Sequence, residues 1–160
     1  MIRFRRGRAA GCDRARALGN TLPREINALT HKLVLVEDND DAREMLAALL
    51  GLSAHDVHTA ADGEQGLRLI LDTKPDIALI DIGLPRLDGY EVARRVREQI
   101  PQVRLVALTG YGQMNDLLRA KEAGFDRHLV KPVDPNKLQE AITVLGKMSS
   151  RFVSKPYDLH

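Results

Sequence analysis

Apolar residues in this chain fall into two alternating kinds of run. Leu33-Val34-Leu35-Val36, Val57 to Ala60, Ile77-Ala78-Leu79-Ile80, Val103 to Leu108 and Arg127 to Val130 are short. The most apolar of them show no alternation with polar residues, the pattern of strands buried on both faces, as in a parallel sheet. Between them the apolar positions take helical spacing. Ala42, Met45, Leu46 and Leu49 make one face, which Gly51 ends. Leu67, Ile70 and Leu71 make the next, with Asp62 as N-cap and Lys74-Pro75 as the break. Val92, Val96 and Ile100 follow Asp88, which resembles a capping box with Glu91. A weaker helix spans about residues 113–123. The last begins at Asp134 and Pro135, with Leu138, Ala141, Ile142 and Leu145 inward. Five strands alternating with five helices predict an α/β fold with right-handed crossovers and a parallel sheet.

The ends of the strands carry the candidate chemistry. Four of the five run into polar residues: Glu37 and Asp38, Asp81, Thr109, and Lys131. In a parallel sheet all carboxyl ends lie on one edge, so these residues converge on one cleft. Three clustered carboxylates repel, so they bind a hard cation or raise a pKa. Octahedral Mg²⁺ favours a few carboxylates, waters and a phosphate oxygen. A lysine and a hydroxyl complement the remaining oxygens of a phosphoryl group. Asp81 is the carboxylate best placed to attack phosphorus.

Three other chemistries fit less well. Gly110-Tyr111-Gly112 follows a strand, but Asn115 stands where a dinucleotide-binding fingerprint needs its third glycine. An aspartate-nucleophile phosphatase would want an acid two residues after Asp81, and Gly83 is there. His55 and His58, three apart on a predicted strand, point to opposite faces and make a poor zinc pair.

Composition narrows the class. The chain has 160 residues, 44% hydrophobic and 29% charged, which suits one core-bearing domain with some excess. One cysteine, Cys12, excludes a disulfide framework and makes a reducing cytoplasm the expected compartment. No apolar run approaches the roughly 18–20 residues of a membrane span. The net charge of +2 hides an asymmetry. Residues 1–31 hold seven arginines and two acids, whereas residues 32–160 hold 17 basic and 20 acidic residues. The basic stretch reads as a disordered leader; an arm for nucleic acid or anionic membrane is the alternative.

Glu37-Asp38, the segment Asp81-Ile82-Gly83-Leu84-Pro85, Asp88-Gly89, Thr109-Gly110 and Lys131-Pro132 stand in one order and spacing. Together they resemble the receiver domains of two-component response regulators, over about residues 31–146. The wording of residues 124–132 is closest to receivers of hybrid histidine kinases. The resemblance implies a flavodoxin-like, doubly wound sheet of five strands in the order 2-1-3-4-5. It implies that Asp81 accepts a phosphoryl group from a phosphohistidine and that the domain is not a stand-alone enzyme, although it promotes its own phosphorylation and dephosphorylation. It implies Mg²⁺ held by Asp38, Asp81 and the Gly83 carbonyl, with Glu37 acting through water. Thr109, Gly110 and Lys131 would bind the phosphoryl group, and Lys131-Pro132 would be a cis peptide. Thr109 and His128 would form the switch, His128 standing where the family often has Tyr or Phe. Gly83 and Tyr111 would control dephosphorylation. Gly83 offers no side chain to a water, while Tyr111 either shields the phosphoryl group or swings outward to a partner.

The implied organisation is a basic extension over residues 1–30, a receiver over 31–146 and a tail over 147–160. The implied partners are a histidine kinase or a histidine phosphotransfer protein, with a homodimer through the last two helices as a further possibility. The tail is too short for a DNA-binding output domain, so none is expected. A detached module of a hybrid kinase is the alternative to a single-domain regulator.

Overall fold

The computed structural model of the protein describes residues 30–110 and 114–153, with side chains as far as residue 148. The expectation of a disordered basic extension falls on residues outside the described ones, as does the reading of Tyr111. Along the chain follow β1 (Lys32–Val36), α1 (Asp40–Gly51), β2 (Asp56–Ala60), α2 (Gly63–Thr73) and β3 (Ile77–Asp81). After them come α3 (Gly89–Gln99), β4 (Arg104–Thr109), α4 (Met114–Ala123), β5 (Arg127–Val130) and α5 (Pro135–Val153). The strands form one five-stranded parallel sheet in the order β2-β1-β3-β4-β5. The helix α5 continues past residue 147, where the tail is expected to begin.

Successive side chains of a strand point to opposite faces, and here both faces are apolar. On one face Val34, Val36, Ala78, Ile80, Leu105 and Ala107 pack against α2, α3 and α4. On the other, Leu33, Leu35, Ile77, Leu79, Val106 and Leu108 pack against α1 and α5. All five residues of β3 are buried, as a central strand covered by helices on both sides must be. Each buried valine, leucine or isoleucine among them stabilises the fold by about 1.5–3 kcal/mol relative to exposure.

The helix starts follow local chemistry. The side chains of Asp62 and Asp88 accept from the amides of Gln65 and Glu91, as N-caps do. The capping box at Asp88 is only half formed, because the Glu91 carboxylate turns to Arg94 and Arg95 instead. Asn39, which the hydrophobic pattern does not single out, caps α1 by accepting from Ala42. The inner face of α1 is Leu46 and Leu50, not a face that includes Met45, which is 55% exposed. Arg97 ties α3 to the next two loops: it donates to the carbonyls of Gly124, Pro101 and Val103 and pairs with Asp126.

Candidate functional site

The ladder of the sheet does not stop at the strand ends. The Glu37 amide donates to the Ala60 carbonyl, Ile82 to Leu108, and Lys131 to Thr109. These bonds hold the residues just past β1, β3 and β5 in register with their neighbours. Gly89, at the start of α3, lies so close to the end of β3 that a Cβ would meet the Asp81 carbonyl oxygen at 2.4 Å. The loop after Asp81 is thereby pinned from both sides.

Four of the polar residues meet on this edge. Lys131 Nζ lies 2.5 Å from Glu37 Oε2 and 3.0 Å from Asp81 Oδ2. Glu37, Asp38 and Asp81 each bring a carboxylate oxygen within 4.8 Å of the others, the sole such acidic, histidine or cysteine cluster among the described residues. The Gly83 amide donates to Asp81 Oδ1 at 2.9 Å. Both oxygens of Asp81 are therefore held, one by a backbone amide and one by an ammonium. The Asn39 amide donates to Glu37 Oε1, and Arg43 donates to the Glu37 carbonyl. Asp38 differs: it is exposed, and its carboxylate has no hydrogen bond or ion pair among the described residues.

Burial sets the electrostatics. It pushes the Glu37 carboxyl above the usual glutamate range, against the hydrogen bonds from Lys131 and Asn39, and the Asp81 charge adds to the rise. Burial opposes the charge of Lys131, but its hydrogen bonds to Glu37 and Asp81 outweigh that and hold the ammonium above the usual lysine value. One ammonium among three carboxylates leaves a surplus of negative charge. Hard oxygen donors with such a surplus suit a small divalent cation. Thr109 is fully buried, and its Oγ1 has no hydrogen-bond partner among the described residues. An unsatisfied buried hydroxyl is costly unless an acceptor arrives.

The other expected residues are placed as follows. Gly110 is exposed, and a Cβ there would meet nothing within 4 Å. Gly83 is exposed beside Asp81. His128 lies exposed on β5, paired in register with Ala107. The Lys131-Pro132 peptide is cis. His55 and His58 go to separate partners. His55 precedes β2 rather than lying on it, stacks on His31 and accepts from the His31 amide, whereas His58 lies beside Asp56.

Tyr90, Asp116 and Arg119 are the residues that sequence reasoning did not single out here. They line, with Asp81 and Lys131, a cleft of about 350 Å³. Tyr90 lies next to Asp88-Gly89, but nothing in the pattern of α4 marks Asp116 or Arg119.

Residues 33–143 match the family model described as response regulator receiver domain. The chain is 37% identical over 119 residues to the transcriptional regulatory protein AfsQ1 of Streptomyces coelicolor, covering 74% of this chain and 52% of that one. It is 27% identical to sporulation initiation phosphotransferase F of Bacillus subtilis, over 71% of this chain and 92% of the relative. Among solved structures, a two-component response regulator of the LuxR family from Aurantimonas superposes with a TM-score of 0.69 at 31% identity, over 74% and 86% of the two chains. The chain spans about half the length of most of the curated relatives it matches. Several of these are named transcriptional regulators, and one DNA-binding. They overturn the expectation that no DNA-binding output domain goes with this receiver. The inference from tail length fails because a receiver folds around its own core, so its sequence carries no trace of what is joined to it. The likeness of residues 124–132 to hybrid-kinase receivers finds no support in these relatives. No helix among the described residues is long and apolar enough to cross a membrane.

Proposed function

The chain belongs to the response regulator receiver domains of two-component systems, and from that premise we propose that Asp81 is its phosphoacceptor. The observation that carries the reading is the convergence of three carboxylates and Lys131 on one edge of the sheet. An Asp81 oxygen attacks the phosphorus of a phosphohistidine. The new P–O bond forms as the P–N bond breaks, and the electron pair leaves with the imidazole. The Gly83 amide and Lys131 hold the attacking carboxylate in one orientation, which removes the search for a reactive pose. The Thr109 hydroxyl and the Gly110 amide receive phosphoryl oxygens, and Lys131 neutralises their charge. The donor set suits Mg²⁺, held by Asp38, Asp81 and the Gly83 carbonyl, with Glu37 acting through a water. When bound, it supplies positive charge to the phosphoryl oxygens. The functional module is taken as residues 31–146.

Thr109 and His128 are assigned the switch, and Gly83 and Tyr111 the lifetime of the phosphoryl group. Gly83 brings no side chain that could orient a hydrolytic water, which favours slow decay. Incubation with Mg²⁺ and acetyl phosphate tests the central assignment. Wild type should gain one acid-stable, base-labile phosphoryl group, and Asp81→Ala none. Equal labelling of the two proteins by mass spectrometry would overturn it.

A further inference from the structure

None of the roles assigned above uses Arg119. It projects from α4 with its guanidinium 4.4 Å from the centroid of the Tyr90 ring, on α3. It is exposed, yet it lines the same cleft as buried Asp81. Lys131, the other cation of the cleft, is committed to Glu37 and Asp81. Arg119 makes no hydrogen bond or ion pair among the described residues, with Asp116 one turn earlier included. Among the described residues its partner is an aromatic face, which holds the guanidinium in place without using any of its five N–H donors. The cleft, at about 350 Å³, is the size of a small-ligand pocket, for which about 300–1,000 Å³ is usual.

Displacement at phosphorus is in line, so the leaving group lies on the side opposite the Asp81 oxygen. Asp81 is buried and Arg119 exposed in the same cleft, so a donor that enters from solvent has the guanidinium within the space it crosses to reach Asp81. We propose that Arg119, braced on Tyr90, is the subsite for the departing carboxylate of a small acyl phosphate. The inference rests on the phosphoacceptor reading of Asp81. A planar carboxylate matches the guanidinium fork with two parallel hydrogen bonds. In the step, the P–O bond to Asp81 forms, the P–O bond to the donor's carboxylate breaks, and the electron pair leaves with that carboxylate. Its negative charge grows as the bond breaks, so the contact strengthens along the reaction path. With phosphoramidate the P–N bond breaks instead and the protonated nitrogen departs as neutral ammonia, which gains little from the same contact.

The experiment compares the two donors on the full chain with Mg²⁺, in wild type, Arg119→Gln and Arg119→Lys. The measured quantity is the ratio of the acetyl phosphate rate to the phosphoramidate rate. Loss of a charge-assisted contact should lower that ratio about tenfold in Arg119→Gln. Arg119→Lys should fall between, because an ammonium keeps the charge but loses the fork. An unchanged ratio in Arg119→Gln, whether both rates fall together or neither does, would overturn the subsite while leaving the phosphoacceptor reading intact. A wild-type protein that takes no phosphoryl group from either donor would overturn both.

Discussion

Glu37 and Asp38 are adjacent carboxylates with different circumstances. Glu37 is buried and bound on both oxygens, by Lys131 and by the Asn39 amide. Asp38 is exposed and carries no such bonds among the described residues. A carboxylate already satisfied by an ammonium gives up less to a metal than a free one. Asp38→Ala should therefore weaken Mg²⁺ binding by at least about tenfold, the lower end of what even outer-layer losses cost. Glu37→Asp should cost only a few-fold, since its retracted carboxylate still faces Lys131. Titrating Mg²⁺ into each variant checks the order, and a larger loss in Glu37→Asp would exchange the direct and water-mediated roles. The identities of these residues were legible in the sequence. Their division of labour came only with the family resemblance; spacing and residue type alone do not separate the two, because it depends on which of two neighbours the fold turns inward.

Elements show where the hydrophobic pattern suffices and where it does not. In α3 and at its C-cap, Val92, Val96 and Ile100 are all buried, as their spacing predicts. In α1 the predicted stripe is shifted: Leu50 is inside and Met45 outside. Two apolar registers were available on that helix, and packing against β1 and β2 chose between them. The start of β2 holds a further property. His55 is buried against the His31 ring, and its Nδ1 accepts from the His31 amide at 3.1 Å. Burial, and after it the charge of His31, push its pKa below the usual 6.5. A base with a lowered folded-state pKa contributes stability that is present above 6.5 and lost as the pH falls through the folded value. Protonation also converts the accepting Nδ1 to a donor facing another donor. Denaturant unfolding should thus show stability declining below that pH. The decline should be smaller in His55→Asn, whose amide oxygen can still accept from His31. Parallel pH profiles in the two proteins would rule out His55 as its source.

At the scale of the whole molecule, the site and the far surface share backbone. Thr109 is paired in register with Val130, and its carbonyl accepts from Lys131. A movement of the Thr109 backbone towards a phosphoryl oxygen would therefore be passed to β5. On β5 lies Val130, and on α4 lie Met114 and Leu118, all exposed apolar side chains. With a beryllofluoride mimic and Mg²⁺, amide hydrogen exchange should change in α4, β5 and α5. Changes confined to α1 would contradict this route.

The order of strands and helices, the strand that ends at Asp81 and the set of polar strand ends could be read without coordinates. Each is written in local spacing, in caps and in runs of apolar residues, and local signals survive without a partner. Which face of α1 turned inward, which acid Lys131 bound, and that Arg119 came to rest on Tyr90 beside Asp81 were decided only by tertiary structure. Residues 37, 81, 90, 119 and 131 sit on or beside different strands and helices. Their contacts exist because a doubly covered parallel sheet stacks its carboxyl ends on one edge and lays α3 beside α4, and no stretch of sequence carries that proximity by itself.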